Sequence, residues 1–281
     1  RKALNMFEKA LEVDPAHRQT LKAIVEIQTA QGDWEAVVTA TRAMMGKATE
    51  QEQFDLLQEV GGIYRNKLSA VPKAIAAYVE AMQIKPTDVG VLHTLLELYT
   101  ETKQWKNSKE MLVKMAEIER DPVRKGTYYH AAGVIDRDEM KSADQAVEHF
   151  NQALDCYFQR PEAFTAENMT KYLRDFESID RILTQKKDWK QLERSYRKMI
   201  KRMPQEGNDP LKVSLWHNLG EIYRSRLKDF RAATQAFEVC VALDPDSVAR
   251  HQILAELYQV QGPEQYEKAI REWRFILSRA K

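Results

Sequence analysis

Residues 216–240 read WHNLGEIYRSRLKDFRAATQAFEVC, and this stretch decides the fold. Its first part, W-x-x-L-G-x-x-Y over 216–223, has the i, i+3, i+4 and i+7 spacing that places side chains on one face of a helix. Its second part, A-x-x-x-F-x-x-C over 233–240, has a similar helical spacing. Two stripes of small and aromatic residues, separated by a short turn, predict a pair of closely packed helices.

The same pattern recurs twice upstream. GGIYR at 61–65, GVIDR at 133–137 and GEIYR at 220–224 start with a glycine, and an alanine follows each of these glycines thirteen residues later. An aromatic residue and then a small residue follow that alanine at helical spacing. The shared register indicates an internal repeat of a two-helix unit.

A second motif alternates with the first along the chain. It begins with Trp34, Trp105 and Trp189, each of which follows a turn, and Tyr266 marks an altered fourth copy. Two repeats of about 34 residues plus a few loop residues account for the distance between successive copies. Because a repeat array grows in one dimension without a larger core, the pattern predicts a stack of helix pairs along the whole chain.

The motif at 216–237, together with Pro245, resembles the signature of the tetratricopeptide repeat family. The resemblance covers almost the whole chain and is closest in the sixth full repeat. It implies an all-α fold, a right-handed superhelical solenoid of antiparallel helix pairs that forms a single domain over 1–281. The expected boundaries are 1–17 for an N-terminal half repeat and 18–53, 54–88, 89–122, 123–161, 162–207, 208–247 and 248–281 for seven full repeats.

The Trp-led repeats depart from that signature at its glycine and at its alanine. We expect these exchanges to change local packing and to leave the architecture intact. The exchanged positions are Val25, Leu96 and Asp180 for the glycine, and Val37, Ser108 and Leu192 for the alanine.

An insertion of roughly ten residues interrupts the repeat period between 158 and 172. It carries Phe158, Phe164 and Met169. Two interpretations are open: these apolar side chains lengthen a helix and are buried locally, or they form an exposed secondary contact for a partner.

The resemblance also implies where a partner binds. In the family, the first helices of successive repeats line a concave groove that takes up a peptide or a partner helix. Counting from each signature glycine places three histidines in one register of that surface and three arginines in another. The expected partner-binding residues are Arg65, His93, Glu97, His130, Arg137, His217, Asn218, Glu221 and Arg224.

Two interpretations of this row of charges remain open. Arginines suit carboxylates or other acidic groups of a partner, because the guanidinium donates two parallel hydrogen bonds, and histidines would make binding depend on pH. Alternatively, the cations are ordinary solvated groups that pair with neighbouring glutamates. A metal site is not expected, because a pair such as His93 and Glu97 supplies only two ligands, whereas zinc usually takes three or four.

Composition argues against several functional classes. The chain has 43 Lys and Arg against 42 Asp and Glu, a net charge of +1, so neither nucleic acid nor a membrane surface is an expected partner. No apolar run is long enough to insert into a bilayer. The cysteines, Cys156 and Cys240, have no metal or redox spacing, and we found no catalytic or cofactor-binding motif.

The sequence therefore predicts a protein without enzymatic activity and without cofactors. Its expected role is a scaffold that binds a peptide or a partner protein, including partners with acidic groups, and helps to assemble a multiprotein complex. Two alternatives are a regulatory or targeting region of a larger enzyme or cell-envelope protein, and a structural solenoid that self-associates through its repeat ends. The chain begins with Arg1, which favours a fragment of a longer protein, and we expect it to be soluble, with the cytoplasm favoured.

Overall fold

The structure is a computed structural model that describes residues 2–159, 165–203 and 210–279. Within these ranges the regular elements are helices and there is no strand, which confirms the predicted all-α fold. The helices are α1 (Lys2–Val13), α2 (Arg18–Gln31), α3 (Trp34–Met44), α4 (Glu50–Asn66), α5 (Val71–Ile84), α6 (Val89–Glu101), α7 (Trp105–Ile118), α8 (Pro122–Asp138), α9 (Ala143–Tyr157), α10 (Ala166–Lys186), α11 (Trp189–Arg202), α12 (Pro210–Glu221), α13 (Phe230–Leu243), α14 (Val248–Gln261) and α15 (Tyr266–Arg279). Short 3-10 turns follow α3 (Met45–Lys47) and precede α15 (Pro263–Gln265), and a π-helical segment (Ile222–Leu227) continues α12.

The chain divides into two compact units. Unit 1 is Arg1–Ser142 and unit 2 is Ala143–Lys281, so the division falls between α8 and α9. In unit 1, α2 packs on α3, α4 on α5 and α6 on α7, and each pair packs on the helix that follows it. In unit 2, α10 packs on α9 and α11, α12 packs on α11 and α13, and α14 packs on α13 and α15. The repeat boundaries and the single domain stay predictions.

The glycine-type pairs α4/α5 and α12/α13 are each built on a close contact between a ring and a glycine. Phe237 on α13 is fully buried, and a Cβ at Gly220 on α12 would lie 2.7 Å from its ring. In unit 1, a Cβ at Gly61 on α4 would lie 2.7 Å from the ring of Tyr78 on α5. Real carbon atoms do not approach so closely, so only glycine lets these helices meet at this distance.

The Trp-led pairs use other side chains at the same positions. The residues that replace the alanine, Val37, Ser108 and Leu192, are all buried. Asp180 on α10 occupies the glycine position, and the hydroxyl of Tyr196 on α11 donates a hydrogen bond to its Oδ2 at 3.2 Å. A polar contact thus joins these two helices where the other pairs have a ring against a glycine.

The turns inside the helix pairs share one backbone feature. A residue with φ in the left-handed region follows the first helix of several pairs, at Gly32 (φ 76°), Lys103 (φ 56°), Lys187 (φ 55°) and Lys228 (φ 57°). The next helix then begins at once, and Asp33, Asp188 and Asp229 cap α3, α11 and α13 by accepting a hydrogen bond from a backbone N–H of the first turn.

Two further expectations concern thiols and membranes. Cys156 and Cys240 are both buried, and burial raises the pKa of the Cys240 thiol to about 12, which keeps it protonated. None of the helices in the described ranges combines the length and the apolarity that crossing a bilayer requires.

Neighbouring glycines of α4 provide a test of the ring contact. We expect Gly61→Ala to lower the free energy of unfolding by about 1–2 kcal/mol, because the added methyl group must displace the Tyr78 ring. Gly62→Ala is the matched control, since its Cβ would lie 3.8 Å from the Tyr78 hydroxyl, an ordinary contact, and alanine stabilises a helix by up to about 1 kcal/mol relative to glycine. Urea unfolding followed by circular dichroism measures both changes. Equal effects of the two substitutions would contradict the ring contact.

Candidate partner-binding surface

The even-numbered helices are the first helices of their pairs. They carry the predicted binding residues except Arg224, which lies in the π-helical segment after α12. In unit 1, Arg65 on α4 donates from Nη1 to Oε2 of Glu97 on α6 at 2.9 Å. The ion pair joins the first helices of two successive repeats. Both side chains are partly exposed, at 32% and 61%, so the pair contributes at most about 1 kcal/mol.

A second contact in unit 1 joins the next two first helices. The ring of His93 on α6 meets the edge of Tyr128 on α8, with 6.3 Å between centroids and an angle of 62° between the rings. His130 lies two residues further along α8 and is half-buried. Arg137, near the end of α8, donates from Nε and Nη2 to the carboxylate of Asp138, each at 2.7 Å. The structure thus places Arg65, Glu97 and His93 on one continuous surface of α4, α6 and α8.

Unit 2 repeats the arginine contact at the same sequence interval. Arg224, which follows α12, lies 4.0 Å from Oε2 of Glu256 on α14 through its Nη1. Glu256 stands 32 residues after Arg224, the same interval that separates Glu97 from Arg65. Arg224 also donates from Nη2 to Glu221 at 3.1 Å. We call the surface formed by His217, Glu221, Arg224, Arg250 and Glu256 the first-helix face of unit 2.

This face contains hydrogen-bonding atoms that are buried but unsatisfied. Within the described part of the chain, Nδ1 of His217, Nε of Arg224 and Nε of Arg250 have no hydrogen-bond partner. Oε1 of Glu221 has none either, although it lies 3.0 Å from Nη2 of Arg224 in an ion pair. Arg250 lies on α14, and its guanidinium contacts the carboxylate of Asp244 through Nη1. Buried polar atoms are nearly always hydrogen-bonded in folded proteins, so four such atoms on one face indicate capacity for a ligand.

His217 is the titratable group at the centre of this face. Its ring stands edge-on to Phe237, with 5.3 Å between centroids and 87° between the rings. Burial lowers the pKa of His217, Glu221 opposes this effect, and the positive charges of Arg250 and Arg224 add to it. The imidazole is therefore neutral at neutral pH and offers one donor and one acceptor.

Asn218 points to a different neighbour. Its amide Nδ2 donates to the hydroxyl of Tyr196 on α11 at 3.4 Å, and that hydroxyl donates in turn to Asp180. Asn218 is exposed overall but belongs to this polar chain between first helices α10 and α12. Burial and the nearby carboxylate of Asp180 raise the pKa of Tyr196, so the phenol stays protonated and can donate.

The apolar residues of the insertion are only partly described. Phe158 is half-buried and its ring meets the edge of Tyr172, with 6.2 Å between centroids. Met169 on α10 is also half-buried. Phe164 lies outside the described residues. A secondary contact at these three residues stays a prediction.

Sequence reasoning missed two charged features. Asp136 on α8 is fully buried and accepts a hydrogen bond from Nζ of Lys109 on α7 at 2.8 Å. Arg194, Arg197, Lys198 and Lys201 form a cationic stripe along α11. The signal for the stripe was present in the run RSYRKMIKR at 194–202, but a net charge of +1 for the whole chain conceals it. In the described ranges, no three His, Cys, Asp or Glu side chains are grouped to hold a metal ion.

Residues 213–247 match the family model of the tetratricopeptide repeat. They include the signature residues of α12 and α13, so the chain carries a tetratricopeptide repeat at these positions. No curated protein shows significant sequence similarity to the chain.

Several solved structures resemble the chain. A tetratricopeptide repeat protein from Parabacteroides merdae is 14% identical, covers 92% of this chain and 92% of its own, and has a TM-score of 0.36. MamA from Desulfovibrio magneticus RS-1 is 15% identical over 67% of this chain and 93% of its own, with a TM-score of 0.33. YrrB, described as a TPR protein with an unusual peptide-binding site, is 12% identical over 69% of this chain and 88% of its own, with a TM-score of 0.32.

The lowered pKa of His217 makes stability depend on pH in a defined direction. As pH falls below about 6.5, the pKa of a histidine in the unfolded chain, His217 is protonated in the unfolded chain while it is still neutral in the folded one. Acidification therefore favours the unfolded chain, and the free energy of unfolding decreases as pH falls. We expect the thermal midpoint of the wild type to fall more between about pH 7.5 and about pH 5 than that of His217→Gln. Parallel pH profiles of the two proteins in thermal unfolding would contradict this assignment.

Proposed function

We propose that this chain, which carries a tetratricopeptide repeat, is a non-catalytic scaffold that binds a peptide or an extended segment of a partner protein. The binding surfaces are the first-helix faces of its units, and the consequence of binding is assembly of a multiprotein complex. The observation that carries the proposal is the group of four buried, unsatisfied polar atoms on the first-helix face of unit 2.

The chemistry of these atoms suits a peptide. The Nε–H groups of Arg224 and Arg250 donate, Oε1 of Glu221 accepts, and neutral His217 can do either. A peptide backbone or a side-chain amide offers both an N–H and a C=O, so one short segment can satisfy donors and acceptors together. Each bond formed contributes about 0.5–1.5 kcal/mol, and bonds to charged groups contribute more.

Acidic groups on a partner fit the arginines of both units. The Arg224–Glu256 contact is 4.0 Å long, and Arg65–Glu97 is a partly exposed pair. Such surface pairs are worth about 1 kcal/mol or less, so a partner carboxylate with two well-aligned hydrogen bonds can compete with the internal glutamate. In unit 1 we propose the corresponding face of Arg65, His93, Glu97, His130 and Arg137.

A substitution that preserves charge tests the role of the guanidinium groups. Peptides are selected on the immobilised whole chain from a random displayed library, and their affinities are measured by fluorescence anisotropy. We expect the double variant Arg224→Lys/Arg250→Lys to bind the selected peptides about tenfold more weakly, a loss of about 1.4 kcal/mol, because lysine lacks the Nε–H donor.

The matched control for this experiment is Arg231→Lys/Arg274→Lys. These arginines are exposed on the second helices α13 and α15 of the same unit. The control should retain wild-type affinity. Undiminished binding by Arg224→Lys/Arg250→Lys, or failure of the library to yield any binding peptide, would refute the proposed face.

A second candidate function is self-association, favoured by one observation at α15. Its side chains Ile270 and Leu277 are 48% and 68% exposed, and Tyr266 beside them is 48% exposed. An apolar stripe of this kind on a helix can pack against the same stripe of a second copy. We expect light scattering to show a mass that rises with protein concentration, and the variant Ile270→Glu/Leu277→Glu to stay monomeric. A wild type that is monomeric at every concentration would exclude this function.

A further inference from the structure

The cationic stripe of α11 lines a pocket that the fold does not require. The pocket has a volume of about 490 Å³, and its described lining is Arg194, Arg197, Lys198, Ile200, Lys201 and Trp216. No carboxylate is among these residues. It lies within unit 2 and shares no residue with the first-helix face of that unit.

The amphipathic pattern of α11 explains how the stripe forms. Leu192, Tyr196 and Met199 are buried and fix one face of the helix against the core. Positions 194, 197, 198 and 201 are spaced i, i+3, i+4 and i+7 and therefore share another face. Like charges at i and i+4 destabilise a helix. The stripe consequently costs stability, and core packing gives no reason for it.

Internal carboxylates neutralise only half of the stripe. Arg197 pairs with Glu193 at 3.3 Å, and Lys198 pairs with Oδ2 of Asp155 on α9 at 2.6 Å. Arg194 and Lys201 form no ion pair within the described residues. These two side chains stand at opposite ends of the stripe, about 10 Å apart along the helix axis, so an anionic ligand can contact both.

Acidic side chains limit the length of that ligand. The hollow beside the pocket on the α9 side is lined by Asp144, Glu148 and Asp155, which face Arg194 and Lys198 across it. The hollow on the α13 side is lined by Glu193 and Asp229. A polynucleotide or an anionic membrane would meet these carboxylates and be repelled, whereas an acidic segment of a few residues lies over the stripe alone.

The pocket also has an apolar wall. Trp216 packs on the buried cluster of Ala233, Phe237 and Cys240, and it also lines the pocket together with Ile200. A tryptophan anchored in this way holds an apolar side chain at low entropic cost and is typical of binding hot spots. The pocket thus offers two cations without internal partners and a rigid apolar surface side by side.

We infer that this pocket binds a short acidic segment of a partner protein, with two carboxylates two residues apart and an apolar side chain next to them. In an extended chain, residues i and i+2 are separated by about 7 Å and point to the same side. The two unpaired cations, Arg194 and Lys201, are about 10 Å apart along the axis of α11. The long glutamate, arginine and lysine side chains make up the difference, so each carboxylate meets one of these two cations while the apolar residue lies on Trp216.

The test uses three fluorescein-labelled peptides and the whole chain. The probe is Glu-Ser-Glu-Phe-Ser, the charge control is Gln-Ser-Gln-Phe-Ser, and the apolar control is Glu-Ser-Glu-Ser-Ser. We expect the probe to bind more tightly than either control at low salt in fluorescence anisotropy, and its affinity to fall as salt is added. Probe binding no tighter than that of the charge control would overturn the inference.

Variants locate the binding. Arg194→Glu/Lys201→Glu should weaken probe binding at least about tenfold, and Arg194→Gln/Lys201→Gln should weaken it less. The matched control Lys171→Glu/Arg181→Glu makes the same change of charge at exposed positions of α10 outside the pocket and should bind within about twofold of wild type. Circular dichroism checks that every variant is folded. An equal loss in the control variant would show general charge attraction and overturn the site.

Two further results separate this pocket from other possibilities. Oligothymidylate or phosphatidylserine vesicles that displace the probe and bind more tightly through Arg194 and Lys201 would overturn the acidic peptide as ligand. The variant Arg224→Lys/Arg250→Lys should bind the probe as the wild type does, because those arginines lie outside the pocket. Loss of probe binding in that variant would contradict a separate site.

Discussion

The contact between an aromatic ring on a second helix and a position without a side chain on the first helix sets the geometry of the pairs α4/α5 and α12/α13. Tyr78 fills the space beside Gly61, and Phe237 fills the space beside Gly220. Because a ring of one helix touches the backbone of the other, the two axes are held close and at a fixed rotation. The stripes left on either side of the pair are still apolar, so each pair must pack on the next one. Where another residue replaces the glycine, as Asp180 does, a different contact joins the two helices, and these pairs stack inside each unit as well.

The same rotation decides which side chains remain available to a partner. With one stripe of α4 or α12 committed to the ring contact, the residues one helical turn beyond the glycine emerge next to that stripe. In both units an arginine emerges there and meets a glutamate 32 residues later. These ion pairs are weak and partly exposed, so they align neighbouring first helices without closing the surface to a competing carboxylate. In unit 2 the buried but unsatisfied atoms around His217 add hydrogen-bonding capacity to that surface.

Much of the fold could be predicted from spacing alone, because the ring, the glycine and the alanine lie within one helix pair. The positions of Arg65, Arg224 and His217 on first helices followed from the same count. Their partners Glu97 and Glu256 could not be predicted, because the pairing depends on how the first helix of the next pair packs after loops of unequal length. Asp180 seemed only a departure from the signature, and the structure shows that it receives the hydroxyl of Tyr196. The buried Lys109–Asp136 pair and the α11 pocket were missed because each forms between the second helix of one pair and the first helix of the next, which a motif within a single pair does not describe.

A crystal structure of the whole chain bound to a peptide selected on it tests the central claim, that first helices present the binding surface, most directly. The account predicts that the peptide lies across α12 and α14, with its backbone or side chains within hydrogen-bond distance of the Nε atoms of Arg224 and Arg250, and with Glu256 turned away from Arg224. A peptide seated only on second helices or on loops, with the four polar atoms around His217 still unsatisfied, would contradict it.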